Sequence, residues 1–176
     1  MASVHITKCE QRVDPICHEP SSDRGVRVTV VFTTPEATLG ALRAAGELGE
    51  SLGARITLVA VQVVPFSLPL GRPLTPVSFL ERHLLTLLSE SGLEAEEASI
   101  AICLCRDPEK SLMQLLAPRS LVVLGGKRGW WSREQKLEQR LTRLGHDVVF
   151  VNMKSKSRAN HVQFNEGFTG VVTCKT

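Results

Sequence analysis

The feature that most constrains this chain is an alternation, repeated along most of its length, of short β-branched apolar runs with segments that carry helix-capping signals. Val26 to Phe32 is a run suited to a strand buried on both faces, and Thr34, Pro35 and Glu36 follow it as an N-cap, a first-turn proline and an acid at the positive end of a helix. That helix places Leu39, Leu42, Gly46, Gly49 and Leu52 at spacings compatible with one face, and Gly53 is positioned to stop it. Ile56 to Val64 is a second apolar run. Pro65, Pro69, Gly71 and Pro73 then mark a loop, and Thr75 with Pro76 repeats the cap signal for a helix from about Pro76 to Ser91. Ser99 to Cys105 reads as a third strand, Asp107 and Pro108 open a third helix, and Pro118 ends it before a fourth strand, Leu121 to Leu124. Ser132 and Gln135 form a capping box, Leu137, Leu141 and Leu144 share a stripe, and Gly145 closes the last helix ahead of Val148 to Val151.

Strict strand–helix alternation requires right-handed crossovers, because a parallel neighbour is reached only across a face of the sheet. The expected fold class is therefore α/β, a Rossmann-like three-layer sandwich with five parallel strands, and ligands of such sheets lie at the carboxyl ends of the strands. The 176 residues and the 43% apolar fraction suit one domain with a substantial core. Residues 1–25 mix charges with Pro15, Pro20, Ser21, Ser22 and Gly25 and read as a loose leader. Residues 26–153 form the expected domain. Residues 154–176 form a polar tail in which Val162 to Phe164 and Val171 to Val172 flank Asn165, Glu166 and Gly167, a hairpin signal.

Composition narrows the function classes. A net charge of +3 without a dense basic stripe argues against nucleic acid as the main partner. The absence of a long apolar run argues against a membrane span, and the polar start of the chain lacks the apolar core of a signal peptide, so a cytoplasmic location is expected. Five cysteines, Cys9, Cys17, Cys103, Cys105 and Cys174, form no regular framework and read as free thiols. Cys103 and Cys105 alternate on a strand and point to one face as buried thiols, about 7 Å apart, near the upper limit for a disulfide. Cys9, Cys17 and His18 are too few to make a closed metal site. His83 and His146 have no neighbour along the chain that completes a nucleophilic motif, and no P-loop is present, so the residues make no case for catalysis.

Several stretches resemble the universal stress protein family in detail. They are Val28 to Val64 with its Ser51-Leu52-Gly53-Ala54 helix end, Arg106-Asp107-Pro108-Glu109, which is similar to that family's Gly-Asp-Pro helix start, and Leu121-Val122-Val123-Leu124-Gly125. The resemblance covers roughly residues 26 to 153. It implies a sheet of order 3-2-1-4-5, a homodimer formed along the last strand, here Val148 to Val151, and adenine nucleotide binding in many members though not in others. Members that bind nucleotide carry an acid at the end of the first strand, then Gly-x-x-Gly, nine residues and a Gly-Ser or Gly-Thr pair. Here Thr33 stands at the acid, and Gly126-Lys127-Arg128-Gly129 satisfies the glycine spacing, with alignment through Gly125 as the alternative. Gln139 and Arg140 occupy the final pair.

The candidate nucleotide-binding residues are thus Thr33, Thr34, Gly125, Gly126, Lys127, Arg128 and Gly129. Side chains at Gln139 and Arg140 obstruct the approach of phosphate to backbone amides that glycine permits. Lys127, Arg128, Arg133, Lys136, Arg140 and Arg143 surround a helix start, against two acids, Glu134 and Glu138, and read either as an anion site or as a solvated helix face. Trp130 and Trp131 lie in the same loop, as a base-stacking platform, a filler of the cleft or a cover for the core edge. The expected function is a noncatalytic stress-response or regulatory protein that binds no cofactor and works through dimerisation or a protein partner. The alternative is a sensor of ATP or AMP using the Gly125 to Gly129 loop, and a third reading is weak nucleotide hydrolysis.

Overall fold

A computed structural model describes residues 3–9, 26–94, 98–127, 132–153 and 162–164. In chain order the elements are β1 (Ser3–Cys9), β2 (Arg27–Val31), α1 (Pro35–Leu52), β3 (Arg55–Val63), α2 (Val77–Ser91), β4 (Ala98–Cys105), α3 (Pro108–Leu115), β5 (Leu121–Gly126), α4 (Arg133–Arg143), β6 (Asp147–Asn152) and β7 (Val162–Phe164). They build one sheet of order β1-β4-β3-β2-β5-β6-β7, parallel throughout except for the antiparallel pairing of β6 with β7. The five inner strands, β4-β3-β2-β5-β6, have the expected order.

Each face of the sheet carries its own core. On one face Val30, Leu58, Ile100 and Val123 pack against Ala41, Leu42 and Ala45 of α1 and Leu84, Leu87 and Leu88 of α2. On the other, Val59, Ala101, Leu124 and Phe150 meet Leu112 and Leu115 of α3 and Leu141 of α4. Strands buried on both sides require the near-continuous apolar runs seen in the sequence. The buried face of α1 is made largely of alanine and glycine, whereas Leu52, expected on that face, is 49% exposed. Small side chains let this helix lie close to the sheet.

The two outer strands correct two expectations. Ser3–Cys9, expected to be loose, pairs in parallel with β4 from Ser3 opposite Ser99 to Cys9 opposite Cys105. A strand supported by one neighbour shows weak periodicity of its own, and its pairing partner lies far along the chain. Val148 to Val151 is not an open edge, because Val162–Phe164 covers Val149 to Val151. Val149 is 1% exposed and belongs to the core packed by α1 and α2. Val162–Phe164, expected to be one arm of a hairpin, pairs antiparallel with β6; its expected partner, Val171–Val172, lies outside the described residues.

The expected Thr75 cap is also corrected. Pro76 takes the N-cap position of α2 without a side-chain hydrogen bond, and the Thr75 carbonyl accepts from Gln62 Nε2 at 2.8 Å. Among the described residues no helix is long and apolar enough to cross a membrane.

Candidate functional site

The direction of chain progression reverses between β2 and β5, so the carboxyl ends of these strands flank the switch point where ligands of open α/β sheets bind. Thr33 and Thr34 follow β2, while Gly125 and Gly126 end β5 and Lys127 follows them, so the fold brings together five of the seven candidate residues. Arg128, Gly129, Trp130 and Trp131 lie outside the described residues.

Thr34 caps α1, its hydroxyl accepting from the Ala37 amide at 3.4 Å. Thr33 takes a different part. Its Oγ1 donates to the Gly125 carbonyl at 2.8 Å and so bridges the end of β2 to the end of β5 across the switch point. Its amide donates to Thr38 Oγ1 at 3.1 Å, and Thr38 is itself fully buried. Thr38 escaped the sequence reading because a threonine within a helix gives no local signal of a contact outside it.

The glycines at the end of β5 are covered by protein. A Cβ at Gly125 would lie 2.5 Å from the Ala37 carbonyl carbon and 3.1 Å from its Cα, and closer still to its oxygen. A Cβ at Gly126 would lie 2.8 Å from Glu134 Cβ and 3.1 Å from Phe150 Cζ. Both positions therefore require glycine for the close approach of the first turns of α1 and α4. Lys127 is exposed.

The positions expected to hold a Gly-Ser pair lie inside α4, which runs without a break from Arg133 to Arg143 and starts at the predicted cap, Ser132 Oγ accepting from Gln135 N at 3.1 Å. Gln139 and Arg140 are exposed on it, and the Arg140 guanidinium pairs with Glu109 of α3. Arg133, Lys136 and Arg143 are likewise exposed, while Leu137 and Leu141 turn inward. The basic cluster on this helix thus has the arrangement of a solvated face.

Arg106 is the residue that sequence reasoning undervalued. Its guanidinium donates to the carbonyls of Val64 at 2.8 Å, Leu68 at 2.7 Å and Pro65, and lies over the Phe66 ring at 5.2 Å from its centroid. A planar fork of donors suits this capture of several carbonyls. It anchors the loop after β3 beside the switch point, with Leu70 buried beneath against Val64 and Leu104. The available signal was the arginine itself, standing where the resembling family has the glycine of Gly-Asp-Pro. Asp107 behaves as read from the sequence, its Oδ1 accepting from Lys110 N at 3.0 Å to cap α3.

Two readings of the cysteines and histidines change. Cys103 is disulfide-bonded, which corrects the expectation of a free thiol there. Cys105 is free, so the bridge is not between these two, and spacing along one strand could not disclose it. Burial pushes the Cys105 thiol upward; a hydrogen bond with Ser111 opposes this and the charge of Asp107 adds to it. His146 does meet a serine, Ser120, whose Oγ lies 2.9 Å from Nδ1. His83 packs edge-on against Phe32, with ring centroids 6.1 Å apart. Among the described residues no group of three His, Cys, Asp or Glu side chains is placed to hold a metal ion; Cys17 and His18 lie outside them.

A doubly wound sheet whose chain progression reverses between β2 and β5 defines a Rossmann-like α/β fold. Comparison with solved structures narrows the fold further. A universal stress protein crystallised in complex with cAMP aligns with a TM-score of 0.50 at 16% identity, over 74% of this chain and 98% of that one. Universal stress family proteins from Burkholderia pseudomallei (TM-score 0.47, 19% identity, 71% of this chain and 94% of that one) and Archaeoglobus fulgidus (0.49, 14%, 71% and 92%) also align. The chain has the universal stress protein fold. No protein-family model matches the sequence, and no curated protein matches it either.

Proposed function

We propose that this chain is a noncatalytic regulatory protein of the universal stress type, acting through self-association or a protein partner rather than through a nucleotide at its switch point. The observation that carries the reading is the unbroken α4. Nucleotide-binding proteins that it resembles open a Gly-Ser pair to phosphate, whereas here Gln139 and Arg140 are helical and Arg140 is paired with Glu109. The Thr33 bridge to Gly125 supports the same reading, since its hydroxyl proton is already donated to the protein and a neutral group replaces the acid.

Titration with ATP, AMP and cAMP tests this, cAMP being included because one fold neighbour is a complex with it. A ligand at one hundred times its Kd stabilises the folded state by about 2.7 kcal/mol, a rise of roughly 5–10 °C in Tm for a chain of this size. The expected result is no saturable rise with any of the three. A calorimetric Kd in the micromolar range or below would overturn the proposal in favour of a nucleotide sensor built on the loop that begins at Gly125.

A further inference from the structure

At the amino end of the sheet, opposite the switch point, β5 and β6 begin side by side, Leu121 opposite Asp147. The residues just before them are joined twice. Asp147 N donates to the Ser120 carbonyl at 3.1 Å, and Ser120 Oγ meets His146 Nδ1 at 2.9 Å. His146 is 8% exposed, and its amide donates to the Leu141 carbonyl at the end of α4 at 3.2 Å.

The connection that leads into Ser120 is strained. Arg119 has φ of 55°, the one non-glycine residue with positive φ among the described residues. A side chain in that region costs about 1–2 kcal/mol, so the surrounding contacts must hold it there. The Ser120 bonds to Asp147 and His146 are the contacts adjacent to it. A buried imidazole sits at the end of this strained turn.

Charging that ring is unfavourable where it lies. The charged groups on the adjoining segments are Arg119 before β5, Arg140 and Arg143 in the last turn of α4, and Asp147 at the start of β6. Asp147 is the one whose field acts on the ring, favouring the protonated form, and burial outweighs it, so the pKa of His146 lies below the ordinary imidazole value. The sign follows from linkage. The opened state takes up a proton more readily than the closed one, so closure is complete above the ordinary imidazole value of 6.5 and weakens as pH falls below it.

We propose that Ser120 and His146 form an acid-sensitive latch on the connection between α3 and β5. With a neutral ring, the hydrogen bond holds Ser120 beside β6 and keeps Arg119 in its left-handed conformation. A charged Nδ1–H can still donate to the Ser120 hydroxyl, so acid acts through the cost of burying the charge: that cost draws the ring toward water, releases Ser120 and lets Arg119 relax, loosening residues 118–120 without unfolding the central strands.

Hydrogen exchange of the full chain tests the latch, with protection factors corrected for the pH dependence of intrinsic exchange. Protection of the Asp147 amide, which donates to the Ser120 carbonyl, is expected to fall by about threefold or more between pH 7.5 and 5.0 relative to amides of β2 and β3; linkage permits at most about tenfold per pH unit. A smaller relative fall overturns the proposal, as does an equal loss across β2 and β3. In His146→Asn, which keeps a hydrogen-bonding group near Ser120 but does not titrate, the relative fall should vanish; its persistence also overturns the proposal. The imidazole C2 proton of the unaltered chain offers a check independent of any variant. Titration of His146 at or above the ordinary histidine value refutes the latch.

Discussion

Substituting Gly125 by alanine distinguishes a glycine kept for packing from one kept to admit phosphate. The added Cβ would stand 2.5 Å from the Ala37 carbonyl carbon, against ordinary contact from 3.4 Å, so the first turn of α1 must retreat by roughly 1 Å. The obstacle is backbone, which cannot rotate away as a side-chain tip can. Three costs follow: overpacking of about 1–3 kcal/mol, weakening of the Thr34 cap by about 1 kcal/mol, and distortion of the Thr33 bond to the Gly125 carbonyl by about 1 kcal/mol. The sum, about 3–5 kcal/mol, is a large part of the roughly 5–15 kcal/mol that stabilises a typical domain. With a urea m-value of about 2 kcal/mol/M, the midpoint should fall by about 1.5–2.5 M. Gly53→Ala is the calibrating control. There φ is 59° with no atom within 4 Å of a Cβ, so only the left-handed backbone contributes, about 1 kcal/mol. If Gly125→Ala costs no more than Gly53→Ala, the close approach of α1 to β5 is not what requires glycine at this position.

Arg106→Ala should lower stability by about 2–3 kcal/mol, because three carbonyls of the loop after β3 lose charge-assisted donors. Arg106→Lys should recover only part of this, and early proteolysis should map to residues 64–76; equal stability of the alanine variant and the parent would refute the anchoring role. Combining Gln139→Gly with Arg140→Ser should cost about 1–2 kcal/mol of helix stability without conferring ATP binding, measured by urea titration and calorimetry. Micromolar affinity in that variant would show that α4 yields to a phosphate loop. Cys105 has a raised thiol pKa in the folded state, so its contribution to stability is complete below the ordinary value of 9.0 and is lost as pH rises through the folded value. Cys105→Ala should therefore flatten the alkaline limb of the stability profile, and native-state alkylation at pH 8 should leave Cys105 unmodified; rapid labelling would contradict its burial.

The elements that local chemistry dictates are legible along the chain. Apolar runs such as Leu121 to Leu124 must be buried on both faces, and Thr34-Pro35-Glu36, Asp107-Pro108 and Ser132 with Gln135 start helices wherever they stand. Alternation of the two then leaves a parallel sheet as the means of burying both. The positions Gln139 and Arg140 also showed from the sequence that the final Gly-Ser pair of the resembling family is missing. Other features arise only in the assembled sheet, because they depend on groups far apart along the chain. Ser3–Cys9 becomes a strand because β4 offers it an edge, and β6 ceases to be an edge because Val162–Phe164 returns to it. Thr33, Arg106 and His146 acquire their parts from Gly125, the carbonyls of Val64, Pro65 and Leu68, and Ser120. Periodicity and capping act over a few residues and are legible in order along the chain, whereas a hydrogen bond across two strands exists only once the sheet has set their register.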